Sequence, residues 1–207
     1  VYRNMNGVED YYDYSIQNLS QGKIYVNNYT GNVTGIYPLG NTIGGKYPII
    51  ANLIYNTNDV VLNKNTSFGK GYKLNFNQTI QEVIIGGMDY LKYVDDDGTE
   101  HYFYKDTTNE IIYYDEDGIG SQITKNGSDY ILNDKGNNVM IFSPYESKYY
   151  LTQITDAYNN IVSIIYDNNY NNIEKIIDSN NCEISFVYNE EEIDIVSPNG
   201  ITKLNYN

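Results

Sequence analysis

The chain has 207 residues, enough for one or two domains with a buried core. Its 27 acidic residues outnumber 13 basic ones, giving a net charge of −14. Such a surface repels phosphate backbones, so nucleic acid is excluded as an expected partner. The excess charge is local. Residues 1–90 hold six acids and six bases, whereas residues 91–207 hold 21 acids and seven bases. A single cysteine, Cys182, excludes an intrachain disulfide and reads as a small buried hydrophobe before a strand. No run approaches the roughly 18 apolar residues of a membrane helix. The chain starts at Val1 rather than Met, which reads as a piece of a longer protein.

Tyr and Asn dominate, with 25 and 31 residues respectively. Aromatic and β-branched side chains suit pleated surfaces, while Asn suits turns because it tolerates left-handed geometry. In chain order, residues 1–28 carry Tyr and Asp clusters without alternation and read as a lead-in. Residues 29–94 read as an N-terminal β region. Its runs include Tyr47–Tyr55 and the alternating Tyr72-Lys73-Leu74-Asn75-Phe76-Asn77. Gly40 and Gly44-Gly45 read as turn punctuation between them. From residue 95 to 207, turn signals recur about every 20 residues. They fall at Asp97-Gly98, Asp117-Gly118, Lys135-Gly136-Asn137, Asn159-Asn160, Asn180-Asn181 and Asn199-Gly200. The Asp-Gly and Asn-Gly pairs favour primed hairpin turns, in which both central residues take positive φ. Between turns lie short strands such as His101-Tyr102-Phe103-Tyr104 and Val139-Met140-Ile141-Phe142.

The clearest periodicity lies near the C-terminus. Leu151–Asp167 and Ile173–Asn189 align with a shift of 22 residues, matching Asp156 to Asp178 and Tyr166 to Tyr188. The alternating sets Val162, Ile164, Tyr166 and Ile184, Phe186, Tyr188 should therefore stack along one sheet face. The fold expected is all-β, with consecutive hairpins forming one continuous, curved antiparallel sheet.

These residues resemble the Rhs/YD-repeat family, which includes wall-associated bacterial proteins and teneurins. Tyr166-Asp167 matches the family's closing pair, while Tyr188-Asn189 and Tyr206-Asn207 replace its Asp by Asn. Asn159 and Asn181 stand where the family usually has Gly. Upstream, Tyr29-Thr30-Gly31-Asn32-Val33, Ile54-Tyr55-Asn56-Thr57 and Ser67-Phe68-Gly69-Lys70-Gly71-Tyr72 resemble its "TGN … YNS … FGxGW" series, with Tyr72 in the Trp place. Asp97-Gly98-Thr99 followed by Tyr102-Phe103-Tyr104 resembles its "DGT … YxF" hairpin. The resemblance implies the N-terminal part of a β shell that encloses a C-terminal cargo, often a toxin. It implies a secreted or cell-surface location and a partner in the remainder of the same chain. The family's self-cleaving core has no counterpart here.

Motifs that suggest chemistry are incomplete. Gly40-Asn41-Thr42-Ile43-Gly44-Gly45-Lys46-Tyr47 lacks the final hydroxyl of a phosphate loop and precedes a strand-like run. Asp95-Asp96-Asp97-Gly98 and Asp115-Glu116-Asp117-Gly118 suggest calcium loops, but Tyr93 and Tyr113 occupy a required acid position. His101 is the only histidine, which excludes a multi-histidine metal site. Glu190-Glu191-Glu192 reads as a solvated turn rather than a catalytic carboxylate pair. No catalytic, cofactor-binding or metal residue is assigned, no cofactor is expected, and a non-catalytic structural role is anticipated. The alternative is a glycan-binding surface module that stacks exposed tyrosines on cell-wall polysaccharide.

Overall fold

A computed structural model describes residues 5–43 and 46–205. The first sheet contains β1 (Tyr14–Leu19), β2 (Gly22–Asn27), β3 (Val33–Asn41), β4 (Ile50–Asn56) and, after an intervening excursion, β7 (Tyr72–Leu74). That excursion holds the short helix α1 (Thr57–Val61) and a small hairpin of β5 (Asn65–Thr66) and β6 (Gly69–Lys70). Residues 1–28, expected as a lead-in, thus supply β1 and β2. β1 is mostly exposed and β2 mostly half-buried, so burial imposes no strict alternation on the sequence there.

A turn at Asn75–Gln78 passes the chain to the second sheet. Its first seven strands are β8 (Thr79–Ile85), β9 (Met88–Val94), β10 (Glu100–Lys105), β11 (Ile112–Asp115), β12 (Gln122–Asn126), β13 (Asp129–Asn133) and β14 (Val139–Tyr145). Then follow β15 (Lys148–Thr155), β16 (Ile161–Tyr166), β17 (Ile173–Ile177), β18 (Glu183–Tyr188), β19 (Glu192–Ser197) and β20 (Gly200–Asn205). All pairings are antiparallel between chain neighbours, with one exception: β15 also pairs with β8, through Tyr149 opposite Ile80 and Tyr150 opposite Thr79. The continuous antiparallel sheet is as expected. Its closure is an addition: β8 to β15 form an eight-stranded ring from which β16 to β20 continue as a meander.

One long strand makes this branching possible. The first part of β15 faces β8, whereas Gln153–Thr155 face β16. Between them Thr152 is skipped in the register with β14, a bulge that bends the strand. Its hydroxyl donates to the Ile141 carbonyl at 3.2 Å, binding the bulge to its neighbour. Ring closure leaves fewer open edges for unwanted pairing. Phe103, Ile123, Tyr130, Phe142 and Leu151 fill the ring and are fully buried. The core runs on through Val162, Ile176, Ile184 and Ile195 to Leu39, Ala51 and Leu74 of the first sheet. Gly40 belongs to β3 at a bulge rather than to a turn. A Cβ there would sit 3.2 Å from the Ser197 Cβ, so its role is close packing of β3 on β19.

The turns follow a single rule. Six of them begin with an aspartate whose Oδ1 accepts the backbone N–H four residues later. The anchors are Asp95, Asp115, Asp134, Asp156, Asp167 and Asp178. In each, the residue three after the anchor has positive φ: Gly98, Gly118, Asn137, Asn159, Tyr170 or Asn181. Asn159 and Asn181 therefore do adopt left-handed geometry, at φ of 63° and 61°. The expected primed turns at Asp97-Gly98, Asp117-Gly118 and Asn199-Gly200 do not form, because only the glycine of each pair has positive φ. A carboxylate two residues upstream of the first two pairs satisfies the loop's N–H groups and selects the single-left-handed-residue turn instead. Among the described residues, a tight loop with both residues at positive φ occurs at Gly86-Gly87.

The repeat extends back to Asp134, 22 residues before Asp156. In these two turns the anchor's Oδ2 also accepts from the Asn four residues on, at 2.7 Å from Asn138 and 2.8 Å from Asn160. Cys182 occupies that place in the third copy. It is half-buried rather than buried, and the Asp178 Oδ2 lies buried without a hydrogen-bond partner among the described residues. Cys182→Asn should therefore supply the missing donor. It is expected to stabilise the protein by about 1 kcal/mol, raising the thermal midpoint by ~2–4 °C. An unchanged or lower midpoint by calorimetry would count against this account.

Candidate functional site

Four motifs that lie far apart in sequence meet at one place. Asn56 ends β4 and is fully buried. Its Oδ1 accepts the Gly7 N–H at 3.0 Å and the Thr34 hydroxyl at 2.8 Å, and its Nδ2 donates to the Asp97 carbonyl at 2.8 Å. Asn32, also buried, accepts the Thr57 hydroxyl at 2.8 Å and the Asn58 N–H at 3.1 Å, which fixes the start of α1. Gly71 accepts the Asn56 N–H at its carbonyl, at 3.0 Å. Its φ of 80° and its closeness to Val60 leave no room for a side chain. Thr99 donates to the Asn6 carbonyl at 3.1 Å, and Asp97 accepts the Val8 N–H at 2.7 Å. The Thr-Gly-Asn, Tyr-Asn-Thr, Phe-Gly-x-Gly-Tyr and Asp-Gly-Thr segments thus form one buried junction. It joins the first sheet, the 5–9 strap and the β9–β10 hairpin. Buried polar groups so connected fix a unique geometry.

His101 is part of the same hairpin. Its Nε2 lies 3.1 Å from the Asp95 carboxylate and its Nδ1 3.1 Å from Asp117, with Tyr93 stacked on the ring at 5.8 Å. Burial and the nearby Asp97 and Asp96 raise the Asp95 carboxyl to about 7, opposed by the bond from His101. No serine or cysteine hydroxyl or thiol bonds the ring among the described residues. The geometry is that of a structural clamp.

The other sequence candidates separate from one another. Gly40 and Asn41 lie in β3, Gly44 and Gly45 fall outside the described residues, and Thr42 receives the Ile49 N–H at 3.0 Å. The described residues of that segment continue from β3 into the approach to β4. Each calcium-like loop spends an aspartate on its own turn: Asp115 accepts from Ile119 and Ser121, and Asp97 accepts from Thr99, whereas Asp117 faces His101. Among the described residues no group of three or more His, Cys, Asp or Glu could hold a metal ion. Glu192 opens β19 and pairs with Lys203 across the strand. Tyr170 has one ring stacked at 4.8 Å (Tyr145) and another at 5.1 Å (Tyr166), so its faces serve packing. The highly exposed Tyr29 and Tyr158 lie on turns of different sheets.

Beside the junction, a cleft of about 430 Å³ opens between the β5–β6 hairpin and the ring. Composition gave no sign of it, because its residues are drawn from segments as far apart as Asp59 and Tyr188. Lys64, Lys73, Lys92 and Lys148 line it, against two acids, Asp59 and Glu100. Lys64 pairs with Asp59 at 2.8 Å and Lys92 with Glu100 at 3.5 Å. Lys73 is buried and donates to the Asp95 carbonyl, and desolvation lowers its ammonium below the usual lysine value.

No known family model matches the sequence, and no curated protein matches it. Among solved structures, the chain is similar to a chain of a Photorhabdus luminescens Tc holotoxin pore, at 12% identity and a TM-score of 0.46. That alignment covers 78% of this chain and 9% of the other, so this chain spans less than a tenth of that toxin chain.

Proposed function

We propose that the chain is a non-catalytic section of a secreted or cell-surface Rhs/YD-type β shell, whose partner is the remainder of its own longer chain and its cargo. The observation that carries this reading is the junction around Asn56. Motifs that resemble the family's ordered series converge there, and their polar groups are used in hydrogen bonds that join separate segments. The 22-residue Asp-anchored units supply wall that can be extended by further copies. No observation favours the glycan reading, since the clustered tyrosine faces are turned on one another.

A wall built by adding hairpins grows at an open edge. Among the described residues, β20 is the last strand of its sheet and pairs only with β19, with Ile201 64% exposed. Such an edge should pair with further strands, and in the isolated chain with another copy. Concentration-dependent association in sedimentation equilibrium is expected, with Ile201→Lys weakening it about tenfold. A wild-type chain that stays monomeric at millimolar concentration would contradict the reading.

A further inference from the structure

The cleft beside the junction is chemically unlike the rest of the molecule. Four of the chain's 13 basic residues line it, but only two of its 27 acids. Excess cations in a recess of an otherwise acidic protein focus a positive field on one small volume. Some of the polar groups there are uncommitted. Lys148 forms no ion pair among the described residues, and the carboxamides of Gln81 and Asn171 make no hydrogen bond there. Lys73 sits in the wall, more than nine-tenths buried, with the Asp95 carbonyl as its hydrogen-bond acceptor. Its ammonium also feels the carboxylates of Asp95, Asp96, Asp97 and Asp59, so it belongs to the wall and the ligand contacts fall to the other side chains. The volume is that of a small-molecule site, about 300–1,000 Å³ being usual.

We propose that this cleft binds a small anion carried on a hydroxylated ring, a sugar acid or sugar phosphate. Lys148 and Lys92 meet the anionic group at the rim, and Gln81 and Asn171 supply the donors and acceptors that ring hydroxyls require. The inference rests on the lining and stands apart from the shell reading. It is tested by calorimetric titration of the full chain with glucuronate, glucose 6-phosphate, inorganic phosphate and neutral glucose at low salt. Glucuronate and glucose 6-phosphate are expected to bind with Kd near ~1 mM, weakened about tenfold by Lys148→Ala and by Gln81→Ala. An unchanged thermal midpoint of Lys148→Ala would show that its loss is local. Absence of binding by both sugar anions overturns the proposal. Equal binding of glucose overturns its electrostatic part, and equal binding of inorganic phosphate overturns its ring part.

Discussion

Replacing His101 by Leu should destabilise the protein by about 3–5 kcal/mol, the size expected when a buried carboxylate loses the partner that compensates it. The imidazole faces two carboxylates at 3.1 Å each, and the Asp117 side chain is only 1% exposed. Leucine fills the volume but removes both ring nitrogens that face these carboxylates. The loss should depend on pH. Asp95 titrates in the fold near 7, above the usual carboxyl value near 4, because burial disfavours its charge. The folded state therefore holds more protons than the unfolded state between those values. This group's contribution is fully present below about 4 and is lost as pH rises through about 7. His101→Leu should accordingly cost more at pH 8 than at pH 5, as read from urea midpoints. Asp95→Asn provides the control. Its oxygen can still accept the turn's N–H groups while its amide donates to an unprotonated Nε2, so it should flatten the pH dependence with little loss at pH 8. A His101→Leu loss below about 1 kcal/mol at pH 8 would show that the two carboxylates do not depend on the ring.

Much of the fold was legible because it is periodic. The alternation Val162, Ile164, Tyr166 marks a strand with one buried face, and the structure buries Val162 and Ile164. The anchors Asp156 and Asp178 mark turns because an aspartate oxygen can satisfy a loop N–H locally. What was not legible depends on contacts between distant residues. Ring closure rests on two residue pairs between β8 and β15, nearly 70 positions apart, and no local pattern announces such pairing. The turn type was misread because Asp-Gly was weighed alone, without the carboxylate two residues upstream. His101 was read as an ordinary strand histidine. Its two acids lie on the β9–β10 and β11–β12 turns, and only the pairing of the strands brings them to the ring. The cleft was invisible for a related reason: its four lysines are too dispersed to form a basic run. Asn56, by contrast, was visible as part of a motif, but nothing in the sequence distinguished its role from that of a surface turn.

That role makes Asn56→Ala the most informative single change at the junction. Asn56 is fully buried and is the common partner of the Gly7 N–H, the Thr34 hydroxyl and the Asp97 carbonyl. Each belongs to a different segment: the strap, β3 and the β9–β10 turn. Truncation leaves a buried donor and a buried acceptor unmet and opens a small cavity. At about 1–3 kcal/mol for each unmet group, a loss of ~3–5 kcal/mol is expected. Asn56→Asp should be nearly as damaging despite equal size. It keeps an acceptor for Gly7 and Thr34, but sets a carboxylate oxygen against the Asp97 carbonyl in place of a donor. An unfolding experiment separates this from ordinary core loss. Because Asn56 ties the strap to the sheets, both variants should raise hydrogen exchange at Gly7 and Val8 more than in the 173–195 meander. Uniform acceleration across the chain would instead show that the junction has no local role and that Asn56 acts through global stability alone.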